Sequence, residues 1–329
     1  MIRNLLILCA ISFFTFGIFF IFLQKSTIVI QPEPSFSVVN LTPDPSPSPA
    51  PTTIVLGGDV MLGRKVNAVL SEKGDYFHAF LHIEPILKNA DIAIINLESP
   101  IIEGCPIVRA STFKFCTSPE SAKAIAKAGI DFVSLANNHY LDYGSKGLNE
   151  TIRFLEKENV IPILQAKPVF KKIDGKSFGI LAFNLTWPGL KETEIIEIVN
   201  DTKAKSDFVI ISLHWGDEYK NTPSKSQQVF AHALIDNGAN IIFGHHSHYI
   251  QPIERYNNGL IFYSLGNLIF DQMWSEKTRI GVLVKLLIYG KEIDFELFPT
   301  EIYEFAQPRL LEADEKEKII SEMLYSVPD

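Results

Sequence analysis

Three cysteines in 329 residues are too few for a disulfide-built scaffold, so the fold must rest on an apolar core. Positive charge is also thin. With 30 basic against 38 acidic residues, a net charge of -8 and no long basic run, the chain lacks the clustered positive surface that nucleic acid requires. There is no internal repeat, which excludes solenoids and propellers. The chain does have a globular composition, 47% hydrophobic and 21% charged, at a length suited to one large domain with appendages.

The N-terminus is different in kind. From Asn4 to Leu23 no charged residue occurs, and Leu, Ile and Phe dominate. As a helix this run would extend about 30 Å, one hydrocarbon core. The run is long for a signal-peptide core and no small-residue cleavage pattern follows it, so residues 1–25 read as an uncleaved transmembrane anchor rather than a removed signal. Arg3 precedes the span and favours a cytoplasmic N-terminus with the remainder exported. Between Gln31 and Pro51 lie seven prolines among Ser, Thr, Asp and Glu, the composition of an extended tether over residues 26–51. A folded domain is therefore expected over 52–329, extracytoplasmic and held at the cell membrane by a single pass. In that compartment Cys105 and Cys116, in the loop-like stretch EGCPIVRASTFKFC, can close a short disulfide or remain two thiols; the bridge is the favoured reading.

Beyond the tether, short apolar runs alternate with helical patterns, the signature of an α/β domain. Strands are expected at TIVLGG (53–58), DIAIINL (91–97), DFVSLA (131–136), SFGILAFN (177–184), DFVIISLH (207–214), NIIFG (240–244) and LIFYSL (260–265). Helices are expected over 64–72, 119–128, 145–158, 192–205 and 224–237, the second with Ser118 as N-cap and Pro119 at its first position. Residues 280–288 and 293–298 read as an antiparallel hairpin turning at Tyr289 and Gly290.

The unusual polar residues fall at the C-terminal ends of these strands: Asp59, Glu98, the Asn137-Asn138-His139 run, His214, and His245, His246 and His248. That edge of an open α/β sheet is where ligands gather. Singly, each residue has a plain alternative. Asp59 after two glycines suits a turn or cap, Glu98 a solvated strand end, His214 a hydrogen-bonded core histidine. The string GHHSH is harder to explain structurally, because three imidazoles in four residues do nothing a commoner residue could not do, except bind metal. His78, His82 and His232 lie away from the strand ends and read as ordinary. Two carboxylates, a carboxamide and several imidazoles without cysteine suit one or two divalent ions of the Mn, Fe or Zn type. Two such ions about 3.5 to 4 Å apart would clamp the oxygens of a phosphoryl displacement.

The strings GGDVMLGR, INLESPI, SLANNHYLDYG, SLHWGDEY, GHHSHYIQP and YSLGNLIFD, in that order from Gly57 to Asp271, resemble the serial signatures of the CapA (PGA-capsule) family of poly-γ-glutamate capsule biosynthesis proteins, within the metallo-dependent phosphatase-like superfamily. The resemblance implies a four-layer α/β/β/α sandwich of two mixed sheets flanked by helices. It makes Asp59, Glu98, Asn138, His214, His246 and His248 metal ligands, with Asn96 a rival to Glu98. His139 becomes the catalytic imidazole, and Arg64, Asn137, His245 and Asn267 become substrate-binding residues. Two positions depart from the pattern: Met61 stands where such phosphatases place a histidine, and Ser247 where the family often has proline. The implied function is synthesis or export of an anionic envelope polymer, within a possible capsule-synthesis complex. An exported phosphoesterase acting on phosphate-containing small substrates and a non-hydrolytic polymer-binding subunit are the alternatives.

Overall fold

A computed structural model describes residues 50–108, 112–187 and 189–324. The expected anchor and the expected tether up to residue 49 lie outside them, and no described helix is long and apolar enough to cross a membrane. The strands are β1 (Thr52–Val60), β2 (Ile92–Leu97), β3 (Phe132–Ser134), β4 (Ile161–Ile163), β5 (Val169–Ile173), β6 (Lys176–Asn184), β7 (Phe208–His214), β8 (Ile241–His245), β9 (Ile253–Tyr256), β10 (Gly259–Phe262), β11 (Asn267–Ile269), β12 (Ile280–Tyr289), β13 (Glu292–Tyr303) and β14 (Gln307–Leu310). The helices are α1 (Arg64–Lys73), α2 (Glu84–Lys88), α3 (Glu120–Lys127), α4 (Gly144–Lys157), α5 (Glu192–Lys203), α6 (Lys225–Asp236), α7 (Glu276–Arg279) and α8 (Ala313–Leu324).

Two mixed sheets result. One runs β14-β13-β12-β1-β2-β3-β4 with β11 added beside β1; the other runs β5-β6-β7-β8-β10-β9. In each, the central pairs β1-β2-β3-β4 and β6-β7-β8-β10 are parallel, and the hairpin expected at 280–298 forms as the antiparallel pair β12-β13.

The apolar runs are continuous because alternate side chains enter different cores. Ile54, Ile92, Ile94, Phe178, Ile210 and Phe243 point between the sheets. Their neighbours Val55, Ala93 and Ile95 pack under Val66, Leu70, Ile125 and Leu155 of α1, α3 and α4. On the other sheet Val209, Ile211 and Ile242 pack against Ile195 and Val199 of α5 and Phe230 and Leu234 of α6. The layer order is therefore helix, sheet, sheet, helix. Each large side chain so buried contributes roughly 1.5–3 kcal/mol.

Two details depart from the sequence reading. The cap of α3 is Pro119 itself, and Ser118 reaches only the Glu120 N–H at 3.4 Å. The run LIFYSL pairs as a strand only to Phe262, because Tyr263 to Leu265 turn towards the site.

Glycines set the closest approach there. A Cβ on Gly58 would lie 2.2 Å from the Gly266 carbonyl oxygen, and one on Gly244 would lie 1.9 Å from that of Tyr263. Only glycine lets β1 and β8 close on the 263–266 turn, which carries the residues after them into one place. A register shift in the β1-β2 pair between Leu56 and Asp59 re-aims the end of β1.

Candidate metal centre

Asp59 ends β1 and is fully buried, as are Glu98 after β2 and His214 at the end of β7; their ligand atoms all lie within 4.8 Å of one another. Around Asp59 the second sheet contributes the rest. His245 Nδ1 lies 2.9 Å from Asp59 Oδ1, the His246 backbone N–H donates to Asp59 Oδ2 at 3.1 Å, and His248 Nδ1 stands 3.5 Å from the same oxygen. His246 and His248 are both held at positive φ, 85° and 56°, a strain that persists only where the surroundings enforce it.

Asn96 is a hub. Its Nδ2 approaches Asp59 Oδ1 at 2.9 Å, Glu98 Oε1 at 3.3 Å and His214 Nδ1 at 3.3 Å, while its Oδ1 accepts from Asn137 Nδ2 at 3.1 Å. Asn96 Oδ1 thus already accepts one hydrogen bond, while Glu98 brings a buried carboxylate into the same cluster. Asn138 Oδ1 lies 2.9 Å from His214 Nε2, which brings it to the same cluster.

His139 stands at the rim. Its Nδ1 is 3.0 Å from Asp142 Oδ2, and its ring stacks on Phe115 with centroids 3.9 Å apart. Asp142 Oδ2 also accepts the Phe115 N–H at 2.6 Å. Phe115 is fixed in turn by the Cys105–Cys116 disulfide beside it. Arg64, at positive φ, pairs with Asp271, donates to the Thr112 carbonyl at 3.2 Å and lies over the Phe115 ring.

The four positions expected to bind substrate separate. Asn137 spends its amide on Asn96, on the Leu97 carbonyl and on the His139 N–H; Asn267 spends its own on His248, Gln272 and the Thr278 carbonyl. Both are buried, so they brace neighbouring residues and have no free atom to offer a substrate. His245 is buried behind Asp59. Arg64 alone of the four is only partly buried, at the rim.

Burial sets the electrostatics. It pushes the Asp59 carboxyl up, but the imidazoles of His245 and His248 against its oxygens outweigh that and hold it well below the usual carboxylate range. Glu98, buried and beside the Asp59 charge, is pushed well above that range. Burial first, and then the neighbouring imidazoles, lower His214 and His246, so both are neutral at pH 7 with lone pairs to give.

Three buried ring nitrogens, both of His245 and Nδ1 of His246, have no hydrogen-bond partner; for His245 Nδ1 the short distance to Asp59 lies outside hydrogen-bond geometry. An unpaired buried polar atom costs about 1–3 kcal/mol. Carboxylates forced together, neutral imidazoles and orphaned nitrogens form a donor set that fits a divalent ion. A second trio, Glu218, His246 and His248, meets the same 4.8 Å criterion.

Several of these residues escape a reading of strand ends. Asp142 was within reach as the third residue after His139, the spacing of one helical turn. Glu218 lies four residues beyond His214, inside SLHWGDEY, but past the strand end. Phe115 carries no sequence signal at all.

Residues 53–272 match the family model described as "Bacterial capsule synthesis protein PGA_cap". The chain is similar to the PGA biosynthesis protein CapA of Bacillus subtilis, 33% identical over 287 residues, covering 80% of this chain and 75% of that protein. It is also similar to the capsule biosynthesis protein CapA of Bacillus anthracis, 32% identical over 261 residues, covering 71% of this chain and 63% of that one. In fold it resembles a novel phosphatase from Mycoplasma pneumoniae, with a TM-score of 0.53 at 12% identity over 82% of this chain and 96% of that one. With a family match over most of the described domain and a relative one-third identical across three-quarters of its length, this chain belongs to the bacterial capsule synthesis protein PGA_cap family.

Proposed function

We propose that this chain acts in the synthesis or export of an anionic envelope polymer of the poly-γ-glutamate type, through a divalent-metal centre of hydrolytic character, anchored at the outer membrane face by its N-terminal segment. The observation that carries the reading is the convergence of buried carboxylates and imidazoles from four strand ends, those of β1, β2, β7 and β8, with three ring nitrogens lacking a hydrogen-bond partner. The name of its Bacillus subtilis relative, a PGA biosynthesis protein, supports the polymer, and that of its Bacillus anthracis relative supports capsule biosynthesis.

Asp59, Glu98, Asn138, His214, His246 and His248 would hold the metal. When bound, a divalent ion supplies Lewis acidity and a hydroxide nucleophile near neutral pH. The chain's own residues do the remainder. Asp142 holds His139 Nδ1, which fixes the tautomer and leaves Nε2 as the nitrogen that can carry a proton to a leaving group. Phe115 keeps that ring from rotating and shields one of its faces. Arg64, set among Asp271, Phe115 and Phe270, presents positive charge at the rim and orients an anionic chain.

The test is complementation in a strain lacking the gene. Wild type should restore surface polymer, while Asp59→Asn and His139→Ala should not, at equal membrane abundance. Full restoration by both variants would leave only the non-hydrolytic assembly role. Release of phosphate from a phosphodiester by the purified protein, with no change in cellular polymer, would favour the phosphoesterase instead.

A further inference from the structure

Glu218 lies in the loop after β7, yet it is held beside two histidines of the loop after β8. Its Oε1 lies 4.0 Å from His248 Nε2, and its carboxylate, His246 and His248 each offer one ligand atom within a 4.8 Å group. The loop carrying it turns before Glu218 and is fastened after it. Gly216 turns the chain at φ 78°, and the Tyr219 N–H donates to the Ser247 carbonyl at 2.7 Å, joining the loop after β7 to the histidine loop after β8. One residue on, the Lys220 carbonyl accepts from Gln251 Nε2 at 3.0 Å, and the Tyr219 hydroxyl accepts from Gln272 Nε2 at 3.3 Å. Tyr219 sits at φ 60°, in the left-handed region that a bulky residue adopts only under constraint. Three hydrogen bonds on Tyr219 and Lys220, with the strained Tyr219 backbone, hold Glu218 where it is.

Its place is complementary to the buried trio. Asp59, Glu98 and His214 offer two carboxylates and one imidazole and are sealed from solvent, whereas Glu218 is about half exposed and its trio offers two imidazoles and one carboxylate. On β1, Met61 cannot add a donor to either: its side chain is fully buried in the apolar core, and its sulfur accepts the Gly63 N–H at 3.0 Å. The buried trio has the Asn138 Oδ1 beside it as a fourth donor, 2.9 Å from His214 Nε2, whereas the outer trio has three donors and faces water.

We propose that Glu218, with His246 and His248, forms an outer, solvent-facing ligand group of the metal centre, adjoining the buried group of Asp59, Glu98 and His214. The proposal rests on the metal-centre reading above and adds to it a ligand and a division of the centre into two parts. The outer group keeps positions open to water and substrate, which is the requirement for chemistry; the buried group has no face open to solvent. Its imidazole-rich donor set suits zinc, while the carboxylate-rich buried set suits manganese.

The experiment uses the full chain in detergent, stripped with chelator and titrated separately with Zn2+ and Mn2+ by calorimetry, with bound metal counted by elemental analysis. Wild type should take up two ions. Glu218→Gln should lose the outer one or weaken it about ten-fold or more while keeping the buried one, and Asp59→Asn should show the reverse pattern. Glu218→Asp, which keeps the charge but shortens the reach, should fall between wild type and Glu218→Gln. Near-UV circular dichroism checks that each variant is folded, which the exposure of Glu218 favours. If Glu218→Gln binds both ions as wild type does, Glu218 is only an ion-pair partner of His248 and the proposal is overturned with the metal centre left standing. If wild type itself binds neither ion, the metal centre falls and the proposal with it.

Discussion

The two ends of the same strands use the same residue types to opposite effect. At the N-terminal edges, Asp91, Asp131, Asp207 and Asn240 stand just before β2, β3, β7 and β8, and each side chain accepts a backbone N–H from the neighbouring strand: Thr53, Ala93, Ser177 and Val209, at 2.7–2.9 Å. Every one closes a hydrogen bond that the end of the ladder would otherwise lack. At the C-terminal edges, Asp59, Asn96, Glu98 and Asn138 face one another and a group of imidazoles, with ring nitrogens left unpaired. One edge is satisfied by the protein alone. The other is assembled at a cost, and such costs concentrate where a protein binds something.

If the contrast is real, substitutions at the two edges must fail differently. The largest effect belongs to His139→Ala, which should lower turnover by about two to four orders of magnitude while bound metal, counted per chain, stays at the wild-type level. Loss of metal in that variant would erase the distinction between the rim and the centre. Next, opening the Cys105–Cys116 bridge with reductant or with paired serine substitutions should cost about 2–3 kcal/mol in chemical denaturation, as for other short loops. It should also lower turnover, because Phe115 is then free to leave His139; two alkylatable thiols in protein from an oxidising compartment would refute the bridge itself.

Glu98→Gln sharpens the contrast by predicting a gain. In the chelator-treated protein the folded-state Glu98 is raised above its unfolded value, so its contribution to stability is complete in acid and is lost as the pH rises through the raised value. Melting curves should therefore show little difference between variant and wild type near about pH 4 and a more stable variant at about pH 8. The variant must also bind metal more weakly. The smallest effect is at the opposite edge, where Asn240→Ala should cost about 1 kcal/mol for its bond to the Val209 N–H and leave metal content and turnover unchanged.

Much of this was legible before any coordinates. The seven apolar runs read as strands because both faces of each sheet are buried, and the polar residues that follow them stand out against that background. What stayed hidden has physical reasons. Strand β4 contains Pro162 and is only partly buried, and β5 is solvated along most of its length, so neither has the apolar density that marks a strand. Glu218 and Phe115 act through tertiary contacts between loops, and no local period or propensity encodes those. Asn137 and Asn267 showed the converse: a sequence places them beside the site, but only their hydrogen bonds reveal that they face inward.

The central claim is that the C-terminal edge is a metal centre, and metal content of the folded protein tests it most directly. After equilibration of the full chain with Mn2+, Fe2+ or Zn2+ and removal of free ion, at least one equivalent per chain should remain, and Asp59→Asn should retain less metal than wild type while keeping a cooperative melting transition. A folded wild-type protein that retains none of the three ions, or a folded Asp59→Asn protein that retains its full complement, would contradict the account.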